Sequence, residues 1–135
     1  MKRMQDIANG IDLIELERIE EILASHGERF LNRIFTQKEQ EYANKNEGLR
    51  IEKLAGRFAA KEAIMKLIGT GWRGKINWTD IEILNDAMGK PVVNLSGEVK
   101  KIADDMRVCD IDVSITHTKE FAIASAVALF NSSES

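Results

Sequence analysis

A carboxylate and an ammonium that interrupt an apolar helical stripe are the residues of this chain best placed to do chemistry. Around Leu54-Ala-Gly-Arg-Phe-Ala-Ala-Lys-Glu-Ala63, the residues Ile51, Leu54, Ala55, Phe58 and Met65 fall on one side of a helix. Glu62 lies within that stripe, one turn after Phe58, and Lys66 lies one turn further on. A charge there costs free energy unless it is paired, hydrogen-bonded or bound to a metal. Two readings follow: an i,i+4 Glu62–Lys66 ion pair, or an acidic ligand beside a cation that serves an anionic substrate. Asp12 is the second carboxylate of interest. A strand is predicted over Asp6 to Ile11 and a helix over Leu13 to Ala24, so Asp12 falls at their junction. An Asp there can be a helix N-cap, a ligand for a hard cation, or both.

Other charges flank this pair. Arg57 and Lys61 are expected on more exposed sides of the long helix, as phosphate contacts or as solvated charges. Gly69 and Gly71, with Arg73 and Lys75, make a glycine-rich stretch that could offer backbone N–H groups to a phosphate. It follows a helix instead of opening one, so a helix stop and turn explains the glycines equally well. Arg18, Arg29, Arg33 and Lys38 lie among Glu15, Glu17, Glu20 and Glu21, which reads as a local basic patch or as a mixed-charge solvated face. No Ser-His-Asp or Cys-His arrangement is visible. The single cysteine, Cys109, permits no internal disulfide and fits a reducing compartment.

The elements that must hold these groups are legible in outline. Phe30 to Phe35 suggests a short helix, and Thr36-Gln-Lys-Glu39 is a capping box that starts another. The long helix is predicted over Ile51 to Ile68. Strands are predicted over Ile81 to Leu84 and Val92 to Leu95, joined by a turn ending in Gly89-Lys-Pro91. Ser96 can cap a helix containing Val99, Ile102, Ala103 and Met106. Asp110 to Thr116 and Phe121 to Leu129 alternate as strands and should form a hairpin around His117 to Glu120. One face of the last strand is Ala122, Ala124, Ala126 and Ala128, which admits a closely packed helix or a neighbouring subunit.

The chain has 135 residues, which suits one domain over 1–135. Its composition, 44% hydrophobic and 30% charged, is that of an ordinary globular protein. A net charge of -3 argues against a general nucleic-acid binder. No signal peptide is evident, and the apolar run from Phe121 to Phe130 is too short to span a bilayer as a helix.

The segment Leu54 to Ala63 resembles the signature helix of the holo-acyl-carrier-protein synthases, a group of the phosphopantetheinyl transferase superfamily. Three further pieces match in the same order: Gly10-Ile-Asp-Leu13, then Asp80-Ile-Glu-Ile83 with Gly89-Lys-Pro91, then Val113-Ser-Ile-Thr-His-Thr118. The resemblance runs from about residue 7 to about residue 129, although Met4 to Ala8 departs from the family's glycine-rich lead-in. It implies an α+β fold, an antiparallel sheet with the long helix packed across it. It implies transfer of 4'-phosphopantetheine from coenzyme A to a serine of apo acyl carrier protein, in support of fatty acid biosynthesis in the cytoplasm. Asp12 and Glu62 would hold Mg2+, and Lys66 would neutralise phosphate charge. The proton acceptor would be Glu62 or a metal-bound water, ahead of Asp12. Coenzyme A contacts would come from among Arg57, Lys61, Lys66, Gly69, Gly71, Pro91, Thr116 and His117. Arg18, Arg29 and Arg33 would meet the acidic carrier protein, with Arg18 foremost. The resemblance also implies a homotrimer with active sites between subunits. Two rival readings are a magnesium-dependent hydrolase of a nucleotide pyrophosphate and a non-catalytic helical interaction domain.

Overall fold

The computed structural model describes residues 6–69 and 76–131. Its elements run in the order β1 (Ile7–Glu15), α1 (Leu16–Ile34), α2 (Gln37–Asn44), α3 (Arg50–Ile68), β2 (Ile81–Asn85), β3 (Pro91–Leu95), α4 (Gly97–Asp105), β4 (Val108–His117) and β5 (Phe121–Phe130). Short 3-10 turns precede α3, at Glu47–Leu49, and β2, at Trp78–Asp80. The fold is α+β, as expected. A three-stranded antiparallel sheet has the order β1-β5-β4, and β2 pairs with β3 in a separate two-stranded sheet.

The alanine face of β5 explains the central packing. Ala122, Ala124, Ala126 and Ala128 are fully buried under α3. Of the two partners the sequence allowed for that face, the helix is the one found. Side chains of one methyl let the helix backbone come close to the sheet, and the helix answers with Ala55, Gly56, Ala59, Ala60 and Ala63, all buried. Gly56 faces Ile115 of β4, and Ala63 faces Gly10 of β1. The helix thus crosses the sheet from β4 to β1, with β5 between them. A Cβ on Gly10 would overlap the Ala63 carbonyl oxygen, so glycine is required for this approach. The opposite side of α3 packs against α1, α2 and β2, and Ile19, Phe35, Leu54, Ile64, Ile81 and Ile83 complete one continuous core.

Two expectations need correction. Asp12 does not lie at a strand-to-helix junction: β1 continues through Glu15, which is the N-cap position of α1. The strand persists because β5 remains available as a partner, with Asp12 opposite Ala124 and Glu15 opposite Phe121. The separate short helix expected at Phe30 to Phe35 is borne out: a kink at Gly27, with φ 49 and ψ -125, divides α1 into two helical pieces, and the second contains Phe30 to Ile34. Glycine reaches that conformation without a side-chain clash. Ser96 occupies the N-cap position of α4, yet its hydroxyl makes no capping bond. The Thr36–Glu39 capping box forms in full, and Gly69 ends α3 in the left-handed conformation with φ 84.

Candidate active site

The crossing of α3 over β1 brings the proposed catalytic residues together. Gly10 packs against Ala63 and Leu67, and Asp12 lies two residues further along the same face of β1. Lys66 Nζ donates to Asp12 Oδ1 and to the carbonyl oxygen of Ile11, each at 3.0 Å. The side chain of Asp12 is 14% exposed and that of Lys66 57% exposed. The carboxylate is therefore held at the wall while the ammonium that it binds faces solvent. Glu62 is half-buried one helical turn before Lys66.

The Asp12 carboxylate lies beside the Lys66 ammonium at a partly open crossing, with Glu62 one helical turn before Lys66. The donors are hard oxygens on two different elements. That set suits Mg2+, which takes few protein carboxylates and fills its remaining positions with water and substrate phosphate. Among the described residues no cluster of three or more acidic, histidine or cysteine side chains forms a complete protein cage for a metal.

Arg57 and Lys61 are not on exposed sides of α3, which corrects the sequence expectation: Arg57 is 4% and Lys61 0% exposed. Lys61 Nζ donates to Glu39 Oε1 at 2.8 Å, to the Ile81 carbonyl at 2.5 Å and to the Trp78 carbonyl at 3.2 Å. Those bonds use all three N–H donors of a lysine. Burial pushes the Lys61 ammonium below the ordinary lysine range, against the opposing pull of Glu39. Arg57 Nε donates to the Ile83 carbonyl at 3.2 Å, and its guanidinium also reaches Asn85 Oδ1. Burial lowers the Arg57 pKa too. A helix almost wholly enclosed by a sheet on one side and α1, α2 and β2 on the other leaves no solvated flank for these cations.

A second feature lies along the broken helix α1. A groove of about 440 Å³ is lined by His26, Arg29, Phe30, Arg33, Ile34, Phe58 and Trp78. Phe58 and Trp78 stack with ring centroids 5.0 Å apart, and Phe30 lies 6.4 Å from Phe58. The break at Gly27 falls between His26 and Arg29, so both halves of α1 contribute to one basic and aromatic groove. Arg29 and Arg33 are thus brought together. Arg18 is exposed on the first half of α1 and does not line this groove.

The remaining candidates are dispersed. Pro91 opens β3, and Gly69 caps α3. Gly71, with Arg73 and Lys75, lies outside the described residues. Thr116 and His117 are exposed at the end of β4. Thr116 pairs with Ile123, which pairs with Leu13, whereas Asp12 shares a layer with Ala124 and Ile115. Thr116 therefore faces away from the Asp12 carboxylate of its own chain. The sequence reading overlooked the structural reach of Glu39. It appeared only as the acidic member of a capping box, but it is fully buried and also accepts from Lys61 and from the Ile83 amide at 2.7 Å.

Comparison with known proteins places the chain among relatives in both sequence and fold. Residues 8–126 match the family model for the 4'-phosphopantetheinyl transferase superfamily. A holo-[acyl-carrier-protein] synthase of Thermoanaerobacter sp. (strain X514) is 46% identical over 120 residues, covering 89% of this chain and 85% of the relative. The crystal structure of the Neisseria meningitidis holo-[acyl-carrier-protein] synthase is similar with a TM-score of 0.82 and 32% identity, covering 90% of this chain and 96% of that one. The Bacillus anthracis enzyme of the same name, solved with coenzyme A (3',5'-ADP), gives a TM-score of 0.77 and 40% identity, covering 94% of this chain and 100% of that one. With a family match across most of its length and these relatives in both sequence and fold, the chain belongs to the 4'-phosphopantetheinyl transferase superfamily, among its holo-acyl-carrier-protein synthases.

Proposed function

We propose that this protein transfers 4'-phosphopantetheine from coenzyme A to a serine of apo acyl carrier protein, leaving adenosine 3',5'-bisphosphate. The observation that carries the reading is the meeting of Asp12, Lys66 and the Glu62 turn where α3 crosses β1. Displacement at phosphorus asks a protein mainly to position groups and to stabilise charge. Asp12 and Glu62 are the residues that would hold Mg2+, which when bound supplies charge neutralisation at the pyrophosphate. Lys66, anchored by Asp12 and the Ile11 carbonyl, places a cation beside the same group. Glu62 or a metal-bound water would accept the serine proton, ahead of Asp12.

The groove along α1 supports a carrier-protein contact. Arg29 and Arg33 present positive charge beside Phe30, Phe58 and Trp78, as an acidic partner with an apolar patch requires. Arg18, exposed on the first half of α1, is a further candidate for contact with the acidic partner. The outer face of the sheet supports self-association. Ile7, Ile11, Leu13, Val127 and Leu129 are 54%, 60%, 54%, 36% and 47% exposed on that face, an apolar area of the kind that marks an interface. Thr116 shares it, so a neighbouring copy would receive Thr116 near its own site, whereas His117, opposite Ala122, lies on the inner side of the sheet. Three-fold assembly follows the family resemblance. One domain over residues 1–135, a cytoplasmic location and a role in fatty acid biosynthesis complete the reading. No described helix is long and apolar enough to cross a membrane.

The test is intact-protein mass spectrometry of apo acyl carrier protein incubated with this protein, coenzyme A and Mg2+, with a chelated control. A gain of one phosphopantetheine that chelation abolishes is expected. Cleavage of coenzyme A without gain on the acceptor would replace transfer with hydrolysis.

A further inference from the structure

Among the described residues, β2 pairs only with β3, and no strand lies beside its outer edge. Side chains nevertheless satisfy three of the backbone groups on that edge. Lys61 takes the Ile81 carbonyl, Arg57 takes the Ile83 carbonyl, and Glu39 takes the Ile83 N–H. The spacing makes this possible. Residues four apart on a helix are separated by about 6 Å along its axis, and residues two apart on a strand by about 6.6 to 6.8 Å. Cations at positions 57 and 61 of α3 therefore meet successive outward carbonyls of β2, as a neighbouring strand's N–H groups would. Glu39 closes the arrangement. Its Oε1 accepts from the Thr36 N–H at 2.9 Å and from Lys61 at 2.8 Å, while its Oε2 accepts from Ile83 at 2.7 Å.

We propose that Glu39 and Lys61 are positioning residues for the transfer reaction. They fix the height and rotation of α3 against the edge of β2, and so set Glu62 and Lys66 against Asp12. Lys61 immediately precedes Glu62 in the chain, so a slide or roll of the helix at Lys61 moves the carboxylate by the same amount. The same clamp holds β2, and with it the turn leading to Pro91. Neither Glu39 nor Lys61 touches substrate: both are wholly buried. This inference rests on the reading of Asp12 and Glu62 as ligands of the divalent cation.

The test is the paired substitution Glu39→Gln with Lys61→Met, which removes both charges together and leaves neither buried alone. Manganese binding in the presence of coenzyme A is measured by electron paramagnetic resonance, alongside kcat, the KM for coenzyme A and the thermal midpoint. Affinity for manganese and kcat should each fall about tenfold or more, as small misplacements of reacting groups do, with the coenzyme A KM little changed. A lower thermal midpoint with unchanged manganese affinity would make the clamp merely structural and overturn the inference. A raised coenzyme A KM with unchanged manganese affinity would instead make Lys61 a phosphate contact and overturn it equally. If the double variant does not fold, the near-isosteric Glu39→Gln alone is read by the same criteria. Wild-type protein that binds manganese without transferring phosphopantetheine would refute the activity and leave this comparison intact. Wild-type protein that binds no manganese would overturn both.

Discussion

Adding one methyl group at Gly10 should damage catalysis more than it damages the fold. A Cβ at that position would lie 2.1 Å from the Ala63 carbonyl oxygen and 3.1 Å from the Leu67 nitrogen. Ordinary carbon-to-oxygen contacts begin at about 3.3 Å, so β1 and α3 must separate by roughly 1 Å. Both obstructing atoms belong to helix backbone, which cannot rotate aside. Overpacking of this kind costs about 1–3 kcal/mol, which a domain with roughly 5–15 kcal/mol in hand survives. The same separation falls on the contact between Asp12 and Lys66, two residues beyond Gly10 and one before Leu67. A displacement of that size can lower a rate by about a hundredfold. In Gly10→Ala, kcat for phosphopantetheine transfer should therefore fall by one to two orders of magnitude, while thermal denaturation still shows a cooperative transition. Gly48→Ala is the control, since a Cβ there meets only Asn46 Oδ1 at 3.5 Å. Gly56→Ala should fall between the two, because its obstruction is the Ile115 methyl at 2.7 Å and a side chain can move. A Gly10→Ala protein with wild-type kcat would refute the claim that the closeness of α3 and β1 sets the site.

Three further outcomes are expected. Reversing charge in the α1 groove, with Arg29→Glu and Arg33→Glu, should raise the KM for acyl carrier protein by at least tenfold and leave the coenzyme A KM within about twofold, since charge complementarity acts on encounter and register with the partner; initial rates against each substrate decide it. Glu39→Ala leaves Lys61 buried without its carboxylate, at a cost of about 3–5 kcal/mol, so soluble yield and thermal midpoint should drop sharply, and a midpoint equal to wild type would show that the pair contributes nothing. Ile11→Lys puts a charge in the middle of the exposed apolar sheet face, and light scattering should find the assembly reduced to monomer, whereas an unchanged mass would place the interface elsewhere.

Local chemistry was legible in the sequence, and the way elements meet was legible only in part. The Thr36–Glu39 capping box, the glycine stop at Gly69 and the β4–β5 alternation each depend on neighbouring residues, and all three formed as expected. Glu62 on an apolar stripe and Lys66 one turn later were conspicuous for the same reason. The identity of the Lys66 partner was not, because Asp12 lies 54 residues away and reaches it only through the close packing of Gly10 on Ala63. Arg57 and Lys61 failed in the opposite direction. Charged residues on a helix normally mark its wet side, and nothing in the local pattern reveals that an unpaired strand edge will lie against them. Glu39 carried a usable signal: a capping-box glutamate spends only one oxygen on its cap, and a buried second oxygen needs another donor. The two helical pieces of α1 were legible as well, because the polar run Ser25-His26-Gly27-Glu28-Arg29 separates the apolar face of Leu13 to Ala24 from that of Phe30 to Phe35, and the kink falls at Gly27.

The most direct trial of the account is the transfer rate of Glu62→Gln, a near-isosteric change that removes only the charge. The account predicts a protein with wild-type circular dichroism and thermal midpoint that modifies apo acyl carrier protein at least about a hundredfold more slowly, the scale set by loss of a positioned charged group. A folded Glu62→Gln protein that transfers phosphopantetheine at the wild-type rate would contradict it, and the crossing of α3 over β1 would then not be the active site.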